Sequence, residues 1–505
     1  MGHAQSPRGA QRWRERFGVA HTTSTLAMGW PVNSYALGMS VEGWPGGITR
    51  RSLLGAAAMI GAGAIGAACG ESRASLTRAG SGGEPGSGGL DRALLPAGSR
   101  PYPELAEGHE SIPEIEHIVV VMLENHSFDN ILGMLGRGDG FVLGRDGLPV
   151  ASNPDGHGEV VRAFHMPTDC QLHGKPSQSW NASHIQYDGG TNEGFVVSKS
   201  GPVAMGYWTP DDLPFTNDLA RVFPIGDRYF CSVLGQTYPN RRYLIAGTSI
   251  GMVDDTAPFG LPAGGTIFDL LNRHGITWRD YYSNLPTAGV FVELLAQADI
   301  ADKVVPVSQF FSDAASGTLP SFSLVDPDFS TDSEENPQDI QYGDVFLASV
   351  MNALMSGPAW SRTLAVWTYD EHGGYYDQVP PPRAPRPDGI PPQIKVPPDQ
   401  PGAFDRYGFR VPFGVVSPYA RPGYVSHVVH DHTSILRLVE TKWNLPALTR
   451  RDANASDLLD TVDLASAPYF AKPPALVPPA NPAIGASCLR TGPGTIPPPG
   501  SVVRT

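Results

Sequence analysis

The sequence predicts an α/β fold built on a doubly wound, mostly parallel sheet. Three nearly continuous apolar runs have the composition of strands that are buried on both faces of such a sheet, and they span residues 115–123, 363–369 and 411–416. Helical patterns are found between and after these runs, at residues 266–273, 344–355 and 433–443. Because strands that alternate with helices favour βαβ units, the order of the elements predicts a doubly wound sheet.

The composition allows a large core and excludes several classes of protein. Of the 505 residues, 41% are hydrophobic and 17% are charged, so the chain is not disordered over most of its length. Its formal charge of −14 argues against nucleic-acid binding, and against attachment to an anionic membrane by charge alone. The four cysteines form no zinc-ribbon pattern, and Cys231, in an apolar stretch, is expected to be a buried free thiol.

The N-terminal part has the features of an export signal. Arg50 and Arg51 precede a run of small and apolar residues at 55–68, a pattern typical of twin-arginine signals, although an ordinary helix start is the alternative. The run is shorter than the roughly 20 residues that cross a bilayer, so it predicts no permanent membrane span. Cys69 follows a sequence similar to a lipoprotein cleavage site, and its lipidation is left open. Met39 would give the signal a short basic start and is the suspected first residue.

The chain divides by composition into three parts. Residues 1–107 are predicted to hold the export signal, at about 49–69, and a flexible tether rich in Gly and Ser. Residues 108–465 are predicted to form the folded domain, in which residues 139–214 are a loop-rich insertion over the site. Residues 466–505 are Pro-rich and are predicted to be an irregular C-terminal tail.

Two of the apolar runs end in clusters of oxygen-bearing side chains. Glu124 and Asn125 follow the first run, and Asp370 and Glu371 follow the second. In open α/β sheets, ligands bind at the carboxyl ends of the strands, so we expect the two clusters to converge. Converging carboxylates repel one another, and a divalent metal ion is the natural cation to hold them. A helix cap or a surface turn is the alternative for each residue taken alone.

Thr237 stands at the predicted start of a helix, two residues before a proline. Free backbone N–H groups at this point would bind a phosphate oxygen, and a metal-bound hydroxyl is activated as a nucleophile. Taken alone, Thr237 is better interpreted as a simple N-cap. His430 and His432 lie in another loop that opens a helix, where a histidine either protonates a leaving group, braces a phosphate or is purely structural.

Five motifs together carry a family resemblance. They are, in order, ENHSFDN at 124–130, GQTYPNR at 235–241, YDEHGGYYD at 369–377, RVPFGVVSPYA at 410–420 and HTSILRLVE at 432–440. With them the sequence closely resembles the bacterial phospholipase C and acid phosphatase family, within the alkaline phosphatase superfamily, over about residues 112–459. The resemblance implies an alkaline-phosphatase-like α/β/α sandwich and the hydrolysis of phosphate esters through a phospho-enzyme.

The same resemblance implies roles for individual residues. Glu124, Asn125, Asp370 and Glu371 become metal ligands, and Thr237 becomes the nucleophile that also touches the metal. Contacts with the substrate are expected from His126, Arg241, His430, Gln178 and Asn336.

Three positions depart from the family pattern. Gln178, Asn336 and Gln378 stand where histidine is frequent. An amide donates hydrogen bonds to phosphate but does not shuttle protons near neutral pH. We therefore expect a neighbouring histidine to act as acid and base, and the candidates are His184, His372, His430 and His432.

These observations lead to three hypotheses of function. The first is an exported, metal-dependent phosphodiesterase of phospholipase C type that acts on phosphatidylcholine-like lipids; the others are an acid phosphatase and a catalytically silent lipoprotein that binds phosphorylated ligands. An all-oxygen ligand set predicts one divalent ion, Ca²⁺ in the first place, with Mg²⁺ and Mn²⁺ as alternatives. The expected partners are a phospholipid or small phosphoester and a membrane surface, contacted transiently or through a lipid on Cys69. The expected location is outside the cell or in its envelope.

Overall fold

An eight-stranded sheet forms the centre of the computed structural model, which describes residues 94–170, 176–258 and 260–480. Its strands in chain order are β1 (His117–Leu123), β2 (Ile225–Gly226), β3 (Trp278–Tyr282), β4 (Val304–Pro306), β5 (Phe322–Val325), β6 (Thr363–Tyr369), β7 (Phe413–Val416) and β8 (Val425–Ser426). Across the sheet they are ordered β8-β2-β7-β6-β1-β5-β3-β4. All pairs are parallel except the two that β7 makes, with β6 and β2. The prediction of a mostly parallel central sheet is therefore confirmed.

The three predicted strands are present, with one correction of direction. β6 has the predicted bounds, and β1 begins two residues later than predicted, after a turn at Ile115. The run at 411–416 was predicted to lie in the sheet as the other two do, but β7 begins only at Phe413 and runs antiparallel to β6. Its first residue pairs elsewhere, because the N–H of Val411 donates to the carbonyl of Tyr229. An apolar run indicates burial, but it does not specify the direction of the strand.

Ten α-helices are found in the described part of the chain. They are α1 (Phe128–Leu132), α2 (Trp180–Tyr187), α3 (Pro214–Val222), α4 (Thr237–Ala246), α5 (Ile267–Arg273), α6 (Ala298–Ala301), α7 (Val307–Ser316), α8 (Ile340–Ser356), α9 (His432–Trp443) and α10 (Arg450–Ala453). The three predicted helices correspond to α5, α8 and α9. α8 begins four residues before its predicted start, because the Asp339 side chain accepts the N–H of Gln341 and caps it there.

Helices cover the sheet in two groups. α3 and α7 pack on α8, whereas α4 and α10 pack on α9, and α5 packs on α4. All seven residues of β6 and six of the seven residues of β1 are buried, so both faces of the sheet are covered. One large apolar cluster contains the central strands together with residues of both helix groups. This arrangement is the predicted α/β/α sandwich.

The insertion at 139–214 contains more regular structure than the predicted loops. Ser152–Pro154 pairs antiparallel with Val160–Arg162, Phe164–His165 pairs parallel with Gly206–Tyr207, and α2 lies between the two strands of the second pair. The insertion contacts the loop that follows β6, where the Tyr376 N–H donates to the Ala204 carbonyl at 2.8 Å. A further short parallel pair joins Tyr229–Phe230 to His430–Asp431.

The termini are described only in part. The export signal with Arg50 and Arg51, the suspected start at Met39 and the candidate lipid site at Cys69 lie outside the described residues. Residues 466–480 contain no helix or strand, and the Phe470 ring packs against Phe223 with 4.6 Å between centroids. Among the residues described, none of the helices combines the length and apolar character needed to cross a membrane. Cys231 is a buried free thiol, as predicted.

Candidate functional site

Three neighbouring parallel strands each end in a carboxylate. Glu124 follows β1, Asp370 follows β6, and Asp326 follows β5, which lies on the other side of β1. The register pairs Leu123 with Tyr369, so Glu124 and Asp370 leave the sheet at the same level. The predicted convergence of these two side chains is confirmed. Asp326 was not predicted, although the apolar run FSLV that precedes it gives the same signal as the other two.

The side chain of Arg241 joins the three carboxylates. Its Nε donates to Asp370 Oδ2 at 3.2 Å, one terminal nitrogen donates to Asp326 Oδ1 at 3.2 Å, and the other lies 3.8 Å from Glu124 Oε1. This second nitrogen also donates to the carbonyls of Met122 and Leu123. Burial lowers the pKa of Arg241, but the surrounding carboxylates together raise it above its ordinary value, so the side chain remains charged.

Arg241 was expected to contact the substrate, and its surroundings give it a different task. Its side chain is 2% exposed, and its donors are directed at protein oxygens, including the Thr287 hydroxyl. A guanidinium has five N–H donors and no acceptor, so an arginine bonded in this way has little capacity left for a phosphate. The structure therefore corrects the prediction: Arg241 is the internal counterion of the strand-end carboxylates.

Asp370 is held from several sides. Its Oδ1 accepts the backbone N–H groups of Asn125 and Glu371, at 3.1 and 2.8 Å. Burial raises the pKa of Asp370 above its usual value, and this effect outweighs the lowering by Arg241 and the two N–H groups. The next residue, Glu371, is buried, and its Oε2 accepts the Gly373 N–H at 2.8 Å. Gly373 has φ of +66°, and any side chain there would collide with the Asn125 carbonyl.

Thr237 faces this cluster from the start of α4. It is the first residue of the helix, and Gln236 is the N-cap, so the simple N-cap interpretation is wrong. Its half-buried hydroxyl donates to Asn125 Oδ1 at 3.4 Å, and Asn125 has a left-handed backbone with φ of +69°. A non-glycine residue in this conformation carries strain, which is often found at functional sites.

The start of α4 is less open to a phosphate than predicted. The Tyr238 N–H, which was expected to be free, donates to Asp255 Oδ1 at 2.8 Å. Asp255 Oδ2 also accepts the side-chain amide of Gln236 at 2.6 Å. An acidic residue at a helix N-terminus is stabilised by the helix dipole, so Asp255 occupies the position in which the prediction placed a phosphate oxygen.

Two of the candidate histidines lie beside the carboxylates. His432 Nε2 is 2.6 Å from the Asp370 carbonyl, and its Nδ1 is 3.1 Å from the Tyr229 hydroxyl. The carbonyl only accepts, so Nε2 carries the proton and Nδ1 accepts from tyrosine. Burial lowers the pKa of His432 to about 4 and that of His372 to about 3. His372 Nε2 is 2.8 Å from Gln186 Oε1, and its Nδ1 is 3.2 Å from Glu371 Oε2.

The other predicted histidines have contacts elsewhere. His126 is fully buried, with its ring nitrogens 2.7 Å from Asn130 Oδ1 and 3.1 Å from the Glu334 carbonyl. His184 packs on Trp180 and bonds to its carbonyl at 2.8 Å, and burial lowers the pKa of His184 to about 4. His430 Nε2 is 3.3 Å from Asp460 Oδ1. The structure thus does not bring these three side chains into contact with Thr237 or the carboxylates.

The three amides in place of histidine also differ in position. Gln378 braces the root of the insertion, since its side-chain amide donates to the carbonyls of Asp139 and Gly140 at 3.1 and 2.6 Å. The Asn336 amide donates to the Tyr375 hydroxyl at 3.3 Å. Gln178 lies just before α2, where its carbonyl accepts the Ser183 hydroxyl at 3.1 Å. The predicted contacts of Asn336 and Gln178 with substrate stay predictions.

The donor set fits a hard divalent cation. Among the described residues, no three His, Cys, Asp or Glu side chains form a metal site by themselves, but the predicted set also contains the Asn125 amide and the Thr237 hydroxyl. Oxygen donors of this kind suit Ca²⁺, Mg²⁺ or Mn²⁺. The buried charges agree, because in the described part of the chain Glu124, Asp326 and Asp370 share the guanidinium of Arg241. A divalent ion would neutralise the remaining negative charge.

Comparison with known proteins finds clear relatives. The model of the phosphoesterase family matches residues 115–446. Phospholipase C B of Mycobacterium tuberculosis is 31% identical over 426 residues, covering 72% of this chain and 80% of that protein. Non-specific phospholipase C1 of Arabidopsis thaliana is 32% identical over 399 residues, covering 71% and 73%. A solved protein of the alkaline phosphatase superfamily from Vibrio parahaemolyticus superposes with a TM-score of 0.36 at 9% identity, covering 73% of each chain.

Proposed function

The chain belongs to the phosphoesterase family and is a phosphoric ester hydrolase, and on this premise we propose that it is a phosphodiesterase of phospholipase C type. Its proposed substrates are phosphatidylcholine-like phospholipids, which it cleaves to diacylglycerol and the phosphorylated head group. The relatives named phospholipase C, in a bacterium and a plant, support a phospholipid as the substrate.

One observation carries the proposal. A half-buried hydroxyl, that of Thr237, lies at the start of α4 and donates to Asn125, directly beside the strand ends of Glu124 and Asp370. The other groups of the cluster are buried, so Thr237 is the group of the cluster that a substrate can reach. A hydroxyl beside carboxylates that hold a cation is the arrangement that nucleophilic catalysis on a phosphate ester requires.

The proposed reaction has two steps, in which the residues of the site have the following roles. Thr237 Oγ forms a bond to phosphorus, and the bond from phosphorus to the diacylglycerol oxygen breaks, with the hydroxyl proton ending on that oxygen. Water then attacks the phosphothreonine, the bond to Thr237 breaks, and its oxygen regains a proton. Asn125 Oδ1 accepts from the Thr237 hydroxyl and orients it for attack. His432 holds the Asp370 carbonyl, and Arg241 holds the carboxylate, so that both fix the loop.

The proposed cofactor is one divalent ion, with Ca²⁺ as the first expectation. Glu124, Asn125, Asp370 and Glu371 would hold it together with the Thr237 hydroxyl. When bound, such an ion polarises the phosphate oxygens and lowers the pKa of a coordinated hydroxyl. We further propose export by the twin-arginine signal at Arg50 and Arg51, which places the enzyme where external phospholipids are found. The same proposal includes a lipid on Cys69 as an anchor for the exported enzyme.

The test compares three substrates with and without a chelator. Purified protein is given phosphatidylcholine vesicles, a soluble chromogenic phosphodiester and a phosphomonoester, and diacylglycerol and phosphate are measured. We expect turnover of both diesters, little of the monoester, and loss of activity with chelator that added Ca²⁺ restores. Faster turnover of the monoester would favour the acid phosphatase alternative. No turnover of any substrate in metal-loaded, folded protein would overturn the proposal.

A further inference from the structure

A β-ribbon in the insertion has two different faces. It consists of residues 141–163, in which Val150 donates to the Val142 carbonyl, Leu143 bridges Pro149, and Ser152–Pro154 pairs antiparallel with Val160–Arg162. Side chains of a strand alternate between faces, so this register places Val142, Leu148, Val150 and Val160 on one face. A Cβ at Gly144 would lie 3.4 Å from Val150 Cγ1, which agrees with this assignment.

The opposite face of the ribbon is its inner face. Phe141, Ala151 and Val161 pack on a small apolar cluster formed by Ala163, Val196, Met205 and Tyr207. Asn153, also on this face, is buried and hydrogen-bonds with the Asn192 carbonyl and the Val196 N–H. The inner face therefore has a protein core of its own, and this core holds the ribbon in place.

The outer face is apolar and exposed. Val142, Leu148, Val150 and Val160, the aliphatic side chains that the register places on this face, are 47–64% exposed. The charged residue on this face, Arg162, is paired with Asp146 through two hydrogen bonds of 2.6 and 3.0 Å. A cluster of exposed aliphatic side chains, in which Arg162 is the one charged neighbour on the strand face and is paired, marks an interaction surface.

The size of the patch decides between partners. Four aliphatic side chains at these exposures present at most a few hundred Å², less than the roughly 800 Å² per partner that a stable protein–protein interface buries. A second copy of this chain would therefore not be held by this face alone. A bilayer imposes no such requirement, because apolar side chains enter the lipid boundary individually and each contributes its own buried area.

The ribbon is attached beside the candidate active site. At its root the Asp139 carbonyl accepts from Arg410 at 2.9 Å and from Gln378 at 3.1 Å. Gln378 belongs to the loop that begins with Asp370 and Glu371, and Arg410 is paired with Asp377 of the same loop at 2.8 Å. The ribbon is thus anchored at its root to the loop that carries Asp370 and Glu371.

We propose that the outer face of this ribbon docks the enzyme on a phospholipid bilayer and holds the strand-end site at the lipid surface. The inference rests on the proposed function, since a substrate embedded in a membrane is what makes such a surface useful. Shallow insertion of the aliphatic side chains supplies the attachment, and the chain needs no basic patch for it, in agreement with its net charge of −14.

The experiment measures binding and activity separately. The variant Leu148→Asp/Val150→Asp places two charges on the outer face, and the matched control Val477→Asp changes a residue that is 47% exposed, as Leu148 is, but that lies in the C-terminal tail. Phosphatidylcholine vesicles are sedimented with each protein in the cold. We expect the ribbon variant to bind at least about tenfold less and to hydrolyse vesicles correspondingly more slowly. Its turnover of a soluble phosphodiester should stay within about twofold of wild type, and the control should behave as wild type.

Wild-type binding by the ribbon variant would overturn the docking surface while leaving the proposed function intact. Loss of vesicle binding in the variant, with no hydrolysis of any phosphodiester by the wild type, would support the docking surface and refute the proposed function. The proposal is also overturned if the wild-type protein does not bind vesicles and instead forms a dimer through the ribbon.

A second variant covers the case in which the aspartates prevent folding. Val160→Trp keeps the outer face apolar and adds a fluorophore to it. Added vesicles with brominated acyl chains should quench its fluorescence more strongly than that of the wild type, and binding should be tighter. Equal quenching in the two proteins would rule out insertion of this face.

Discussion

The carboxylates at the strand ends lie together around one cation, whereas the candidate histidines each have separate contacts. Glu124, Asp326 and Asp370 converge on one guanidinium and border a half-buried threonine hydroxyl. The histidines that were candidates for proton transfer lie at different places in the protein, two of them beside the carboxylates, and their ring nitrogens contact protein groups. The comparison supports the proposal that the chemistry of this site depends on oxygen groups, with the histidines acting on the loops that position them.

Burial explains the difference. A buried histidine stays neutral because the charged form loses its hydration, and its two ring nitrogens then find partners within the protein. Buried carboxylates cannot all become neutral without losing their partners, so they collect a counterion instead. The same physical cost therefore keeps the buried histidines neutral and hydrogen-bonded to protein groups, and it gathers the carboxylates around the Arg241 guanidinium.

The largest effect is expected when the Thr237 hydroxyl is removed. Thr237→Val keeps the shape of the side chain and removes its oxygen, so turnover should fall by a factor on the order of 10³ or more, measured on a soluble phosphodiester. The melting temperature should change little, because Gln236 and not Thr237 is the N-cap of α4. Thr237→Ser should keep part of the activity, and Thr256→Val, which changes an exposed threonine nearby, should keep all of it. Near-normal turnover by folded Thr237→Val would end the phosphothreonine mechanism.

The next test removes the counterion. Arg241→Met removes the guanidinium that three carboxylates share, and the free energy of unfolding should fall by about 3–5 kcal/mol, measured by urea unfolding in chelator. Added Ca²⁺ should restore part of that loss, because a divalent ion would take over the charge.

Arg242→Met is the matched control. Arg242 is the neighbouring buried arginine of α4, but it donates to the carbonyls of Val290, Asp254 and Thr256. Its replacement should lower stability without making it depend on Ca²⁺. If Ca²⁺ fails to stabilise Arg241→Met more than this control, the carboxylates do not form a cation site.

The smallest expected effect concerns His432. His432→Asn should lower turnover by about 10–100-fold by loosening the Asp370 loop, and the pH profile between 5 and 8 should keep its shape. Burial lowers the pKa of His432 to about 4, so the residue is neutral throughout this range. His184→Asn, which changes a histidine packed on Trp180, should leave turnover unchanged.

The His432→Asn variant should also change how the free energy of unfolding depends on pH. Folded His432 has a pKa of about 4, below the usual 6.5, so between these values the unfolded state binds more protons. Its contribution is present above pH 6.5 and is lost as the pH falls, by about 2 kcal/mol at pH 5. His432→Asn should therefore lose less stability than the wild type between pH 7 and pH 5. A pH profile of turnover that shifts in the variant would instead identify His432 as the acid and base.

Much of this protein could be predicted from local patterns. The central strands, three helices and the convergence of Glu124 with Asp370 follow from apolar runs and from the rule that parallel strands end at one edge. Asp326 carried the same signal, because it ends the buried run FSLV, and it was missed only because that run is short. The aliphatic outer face of the ribbon could not be predicted, because its period-2 pattern is interrupted by turns.

The sequence by itself determined which segments are buried, where the strands end and which hydroxyl stands at the start of α4, since these depend on residues close together in the chain. Only the tertiary structure decided that β7 runs antiparallel, that Arg241 binds carboxylates and that the histidines are internal. Each of these depends on a partner far away in sequence. A side chain's charge state and role are set by the groups that surround it after burial, and the order of residues does not specify those groups until the chain has folded.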